Sequence, residues 1–206
     1  MIRDRWLRSL SPVLAAAALL VAGGCASVPR ARFFTLETPA SVLTANADTT
    51  KPLLRVERLA VAEPYAGRRI VYRPAPREVA FWEFHLWSQP PDKMITASVA
   101  AHLTASGLFR DVDSYPYAWK DADLVLRGAV LAFEEVDRGS EWYGHVKLFL
   151  ELIDQGPGGV LWSSKIEAER RAEERNPESL IEALSGALDE AVAKAEGEMA
   201  EALGRR

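Results

Sequence analysis

The chain has 206 residues, with 25 Lys and Arg against 29 Asp and Glu and a single cysteine. That acidic balance excludes nucleic-acid binding, which needs a basic footprint. One cysteine excludes an internal disulfide, and the length suits one domain with its own core.

Residues 1–24 read as an export signal: Arg3, Arg5 and Arg8 precede an apolar run from Leu10 to Val21, and Ala22-Gly23-Gly24 ends it. The run is only about 12 residues, against about 20 needed to cross a bilayer core, so a permanent transmembrane helix is not expected. Cys25 directly follows the small residues, the position whose thiol takes a diacylglyceryl group and whose freed amine is then acylated. Lipidation also accounts for a lone thiol in an oxidising compartment. Acyl chains contribute about 0.8 kcal/mol per buried methylene and two already anchor stably, so Cys25 is expected to hold the protein in a membrane. Ala26, standing where aspartate would signal inner-membrane retention, points to the outer membrane. Without residues 1–24, which carry Arg3, Arg5, Arg8 and Asp4, 182 residues remain with 22 basic and 28 acidic side chains, a net charge of −6. Anionic headgroups do not attract such a domain, so anchoring falls to the lipid.

Residues 25–32 form a short lipidated tether, and residues 33–206 the domain. Phe33 to Leu36 reads as a first strand, and the small polar residues from Glu37 to Pro52 as a surface loop. Leu54, Val56, Leu59 and Val61 alternate with one slip, which predicts a single strand with a bulge over 53–61. Ile70 to Tyr72 and Glu78 to Leu86 form a hairpin that Pro74-Ala75-Pro76 makes irregular. In its second strand Trp82, Phe84 and Leu86 face one way and Phe81, Glu83 and His85 the other. After Pro90-Pro91, Ile95, Val99 and Leu103 recur at helical spacing, and Gly107 stops the helix. Leu108, Phe109 and Val112 return the chain as a short strand or turn. Leu124–Val136, Trp142–Ile153 and Val160–Ala168 predict three consecutive antiparallel strands, joined in the second connection by the turn from Gln155 to Gly159. Asn176 caps a last helix with Pro177 at its first position, and Leu180, Leu184, Leu188, Ala191, Ala195 and Met199 line one face until Gly204. The fold class is α+β: one antiparallel or mixed sheet packed with two main helices.

The residues offer no catalytic signature. His85, His102 and His145 lack metal-ligand spacing, and Ser140 and Ser163 lack a nucleophile-elbow context. Glu134, Glu135 and Asp137 read as a solvated acidic cluster at a strand end rather than an acid/base pair. No enzyme, metal or cofactor is expected. Arg68, Arg69, Arg73 and Arg77 form the basic concentration least diluted by acidic neighbours. Two readings stay open for it: charges that protect a sheet edge from aggregation, or a docking surface for an acidic partner or phospholipid headgroups. Trp82 and Trp142 are expected in the core or at a sheet edge, and Trp87, beside a loop, as the exception that joins the docking surface of Arg68, Arg69 and Arg73.

Several features then coincide in order: Cys25, the strand with Phe33, Thr35 and Leu36, the run Leu54 to Val61, Tyr65, and Arg69-Ile70-Val71-Tyr72-Arg73. Trp87 with Pro90 follows, then Asp121 and Asp123 before Leu124, then Phe133-Glu134. This sequence of short patterns resembles the ABC-type transport auxiliary lipoprotein family over nearly all of the chain after Cys25. The resemblance implies a non-enzymatic part in an envelope transport machine that moves phospholipid or other hydrophobic molecules. Its implied partners are an inner-membrane ABC permease and ATPase and an MCE-domain protein bridging the periplasm. Homo-oligomeric rings are a further expectation of the resemblance. A lipid-binding carrier and a structural lipoprotein of outer-membrane assembly remain the alternatives.

Overall fold

The computed structural model describes residues 29–37, 48–114, 121–156 and 158–205. The signal, Cys25 and most of the loop expected over 37–52 lie outside the described residues. The organising element is a long strand, β7, which the other strands flank along both edges. In chain order the strands are β1 (Arg32–Phe34), β2 (Leu53–Val56), β3 (Ala60–Val61), β4 (Arg69–Arg73) and β5 (Ala80–Trp87). β6 (Asp111–Ser114), β7 (Leu124–Arg138), β8 (Glu141–Asp154) and β9 (Gly159–Arg171) follow. The helices are α1 (Pro91–Ser106) and α2 (Pro177–Gly204).

One edge of β7 pairs antiparallel with β8 along its whole length, and β8 pairs antiparallel with β9. The other edge receives three short strands in succession, all parallel: β2 at Leu124–Leu126, β3 at Ala129–Val130 and β4 at Glu134–Val136. β6 extends the sheet beyond β2, and β5 and then β1 extend it beyond β4. The domain is therefore a single α+β unit with a mixed nine-stranded sheet and two helices, as its residue pattern predicted.

The run over 53–61 is not one bulged strand. It divides into β2 and β3, which reach β7 on either side of a step at residues 57–59; Leu59 at the step is buried, and its N–H donates to Thr96 Oγ1 at 3.1 Å. On its other edge β7 carries a register shift against β8 between Val130 and Ala132. Asp123, just before β7, accepts the N–H of Leu53 at 2.8 Å and so sets where β2 begins.

The core fills the space between one sheet face and the helices. On β8 Val146, Leu148, Leu150 and Leu152 are fully buried, and the intervening residues are half-buried on the opposite face. α2 lays Leu180, Leu184, Leu188 and Ala191 against β8 and β9. Its boundaries follow local chemistry: Asn176 Oδ1 accepts the N–H of Ser179 at 2.9 Å, and Pro177 opens the first turn. α1 ends where Gly107 turns left-handed with φ of 68°. Among the described residues no helix is long and apolar enough to cross a membrane.

Candidate functional site

The polar groups gather where β4, β7 and β8 run side by side, at the C-terminal end of β7. Strand alternation sends two neighbouring carboxylates to opposite faces there: Glu134 to the open face and Glu135 to the helix side. Both are buried, at 3% and 1% exposure, so the expected solvated acidic cluster is overturned. A strand end is exposed only if nothing crosses it, and here β4 and β8 flank β7 while Tyr65 and Trp82 cover the two carboxylates.

On the open face Glu134 accepts from Tyr65 Oη at 2.6 Å and from Arg73 Nε at 2.7 Å, and Arg73 Nη2 donates to Tyr65 Oη at 3.0 Å. His145 Nδ1 lies 3.4 Å from Glu134, and its Nε2 lies 2.7 Å from Glu167, which also accepts from Lys147 Nζ at 2.7 Å. Burial works to raise the Glu134 carboxyl, but hydrogen bonds from His145, Arg73 and Tyr65 outweigh it and hold it below the usual carboxylate range. Burial works to lower His145, and its bonds to Glu134 and Glu167 reverse that and raise it. Tyr65 is pushed up to about 12, first by burial and then by Glu134. The group is a charge-satisfied brace that ties the segment before β4, β4 itself, β7, β8 and β9 together.

On the helix side Glu135 Oε2 accepts from Trp82 Nε1 at 2.8 Å. Burial, and then a hydrogen bond with Asp137, push the Glu135 carboxyl up to about 8. The Glu135 carboxyl therefore holds its proton near neutral pH. Tyr72, Phe81, Glu83, Trp142 and Arg175 complete the walls of an open cleft of about 480 Å³.

Glu135 has a consequence for stability. Its carboxyl is raised in the folded state, so the folded protein holds a proton that the unfolded chain releases near 4.5. The stabilisation is full below that value and is lost as pH rises toward 8. Glu135→Gln keeps an acceptor for Trp82 and needs no proton. It is expected to match the parent near pH 5 and to exceed it by about 3 kcal/mol at pH 8. Urea unfolding at both pH values checks this, and parallel curves for parent and variant would refute it.

The docking residues expected on one surface separate. Trp87 is a correction: it has no exposed surface, and its ring packs 5.0 Å from Phe133. Arg73 is committed to Glu134 and Tyr65, and β4 lies between β5 and β7, so the arginines do not protect a free edge. Arg68 is exposed and donates to the carbonyls of Trp87 and Ser88, both at 2.9 Å, with its guanidinium 5.1 Å from the Phe33 ring. Arg69 remains at the surface, stacked 4.2 Å over Phe81. Sequence reasoning missed Tyr65, Glu135 and Arg175 as site members. The adjacency of two glutamates on one strand was the available signal, since alternation must send them to different environments.

The alternation expected in β5 also breaks. Two residues of β4 separate the pairs Arg69–Leu86 and Val71–Phe81, but five separate them on β5, so the bulky stretch bulges. The bulge brings His85 to 4.7 Å from Trp82, on one side of the strand.

The family described as the ABC-type transport auxiliary lipoprotein component matches residues 34–195. No curated protein matches the sequence. A crystal structure of a Xanthomonas campestris protein of the DUF330 family aligns at 20% identity over 84% of this chain and 98% of that one, with a TM-score of 0.70. A crystal structure of an uncharacterised protein aligns at 16% identity over 83% and 99%, with a TM-score of 0.68. A PelC dodecamer from Paraburkholderia phytofirmans aligns over 70% and 82% at 23% identity, but its TM-score of 0.42 is too loose to carry any argument about assembly here. The first two likenesses bear on the fold alone.

Proposed function

The chain belongs to the ABC-type transport auxiliary lipoprotein family, a generally non-enzymatic group, and from that premise we propose that it docks the periplasmic end of an envelope transporter. In this reading the lipid on Cys25 holds the domain to the outer membrane, as Ala26 suggests. The transporter is an ABC permease and ATPase working through an MCE-domain bridge, and its cargo is phospholipid or another hydrophobic molecule. A familiar counterpart is the outer-membrane lipoprotein of the paraquat-inducible system. The observation that carries the reading is the extent of the family match, which spans the domain from β1 into α2.

Residues of the short patterns that resemble the family also meet in space. Tyr65, Arg73 and Glu134 form one hydrogen-bonded group, and Trp87 packs on Phe133. They brace the fold, which leaves Arg69 as the arginine best placed to meet an acidic partner. Arg69→Glu is expected to lower partner capture about ten-fold while costing about 0.5–1 kcal/mol of stability, the worth of its stacking on Phe81. Arg73→Glu is no substitute, because it sets a second carboxylate against buried Glu134 and destabilises the domain. Capture unchanged by Arg69→Glu in a folded protein would remove that residue from the interface.

Affinity purification from gently solubilised membranes, with Cys25→Ala as the unanchored control, tests the whole reading. Recovery of an MCE-domain protein with its permease is the expected result. A preparation carrying bound lipid and no transporter would replace docking with a carrier function.

A further inference from the structure

We propose that the cleft framed by Tyr72, Trp82, Trp142 and Arg175 binds the headgroup of a zwitterionic membrane phospholipid, the ammonium between the rings and the Glu83 and Asp137 carboxylates and the phosphate on Arg175. Its volume of about 480 Å³ falls in the range of small-molecule sites. The rings stand nearly at right angles: Tyr72 and Trp82 are 6.4 Å apart at 78°, and Trp82 and Trp142 are 5.4 Å apart at 81°. Aromatic walls beside carboxylates attract alkylammonium groups.

The chain already displays this preference. The Arg175 guanidinium lies 5.0 Å from the Trp142 ring centroid, and its Nη2 is 3.9 Å from Asp137. Arg175 is half-exposed, which leaves N–H groups open to a phosphate. Glu83 and Asp137 supply carboxylates beside the rings for the ammonium, and Arg175 supplies the guanidinium for the phosphate.

Placement selects a membrane lipid over a basic protein segment, and this step rests on the Cys25 anchor proposed above. β1 enters the domain beside the cleft: Arg32 pairs with Glu178, Phe34 stacks 5.8 Å from His85, and His85 is 4.7 Å from Trp82. Cys25 precedes Arg32 by seven residues, at most about 25 Å of extended chain. Headgroups are thus within the tether's reach.

The lipidated full chain in dodecyl maltoside is titrated calorimetrically with glycerophosphoethanolamine, ethanolamine and glycerol 3-phosphate. The zwitterion is expected to bind about ten-fold more tightly than either half. Arg175→Gln and Asp137→Asn should each weaken it about ten-fold at an unchanged thermal midpoint. Binding no tighter than glycerol 3-phosphate overturns the proposal, as does binding indifferent to Arg175→Gln. Preference for a trilysine peptide over the zwitterion also overturns it and assigns the cleft to a protein partner. Cys25→Ala separates the two readings: its retention in membranes overturns the anchor and the placement argument, while the titration still decides the cleft.

Discussion

Trp87→Ala is expected to cost about 3–5 kcal/mol of folding stability, enough to leave a marginally stable domain largely unfolded. Trp87 heads the large side chains with no exposed surface, and it sits where β5 hands over to α1. Its ring packs against Phe133 of β7, so truncation opens a cavity between the two sections of the sheet. Its main chain is also in use: the Trp87 N–H donates to the Arg68 carbonyl at 2.7 Å, and the Trp87 carbonyl accepts from the Arg68 guanidinium at 2.9 Å. The indole Nε1 is buried and unpartnered among the described residues. Trp87→Phe removes that desolvated donor while keeping most of the ring, and should cost under about 1.5 kcal/mol. Chemical denaturation of the two variants checks the ordering. A docking role would give a different pattern, with capture lost in both variants at parental stability.

The second large effect comes from a hydrogen atom. Gly144 on β8 lies under α2, and a Cβ there would fall 2.5 Å from Leu184 N, 2.7 Å from Ala183 C and 2.9 Å from Leu184 Cα. All three are main-chain atoms of a helix, so no rotamer change relieves the clash and the helix must lift. Gly144→Ala is expected to cost about 3 kcal/mol, and Gly144→Leu to prevent native packing altogether. The displaced segment follows Arg175 closely, so Gly144→Ala should also disturb the cleft beside Trp142. Gly197, on the same helix, supplies the contrast, since a Cβ there would meet nothing within 4 Å. Gly197→Ala should stabilise by about 0.5–1 kcal/mol through helix propensity alone. Equal unfolding midpoints for the two alanine variants would refute the close approach of α2 to β8.

Glu134 and Glu135 illustrate how one strand serves two chemistries. Consecutive residues face different neighbours, and those neighbours decide ionisation: Arg73, Tyr65 and His145 keep one carboxylate charged, while burial and Asp137 keep the other protonated near neutrality. Stability is therefore limited from both sides in pH. Glu134 loses its contribution as pH falls below the ordinary carboxylate range, and Glu135 and His145 lose theirs as pH rises through their raised values.

Local signals were legible in the sequence wherever the determining physics is local. Proline at a helix start, a side-chain cap at Asn176, glycine at a left-handed stop and strict alternation in β8 each act within a few residues, and they located both helices and the three-strand meander. Their sum carried the α+β class, and the order of short patterns carried the family. Tertiary structure decided what depends on partners distant in the chain. It split the run over 53–61 because two separate stretches of β7 receive it, and it buried Trp87 because Phe133 lies 46 residues away in sequence but in contact in space. It also turned two glutamates and Arg73 from surface charges into a braced network and one wall of a cleft. Burial, and with it the protonation and availability of a side chain, is a property of what packs against it, and the sheet order that selects those neighbours has no local signature.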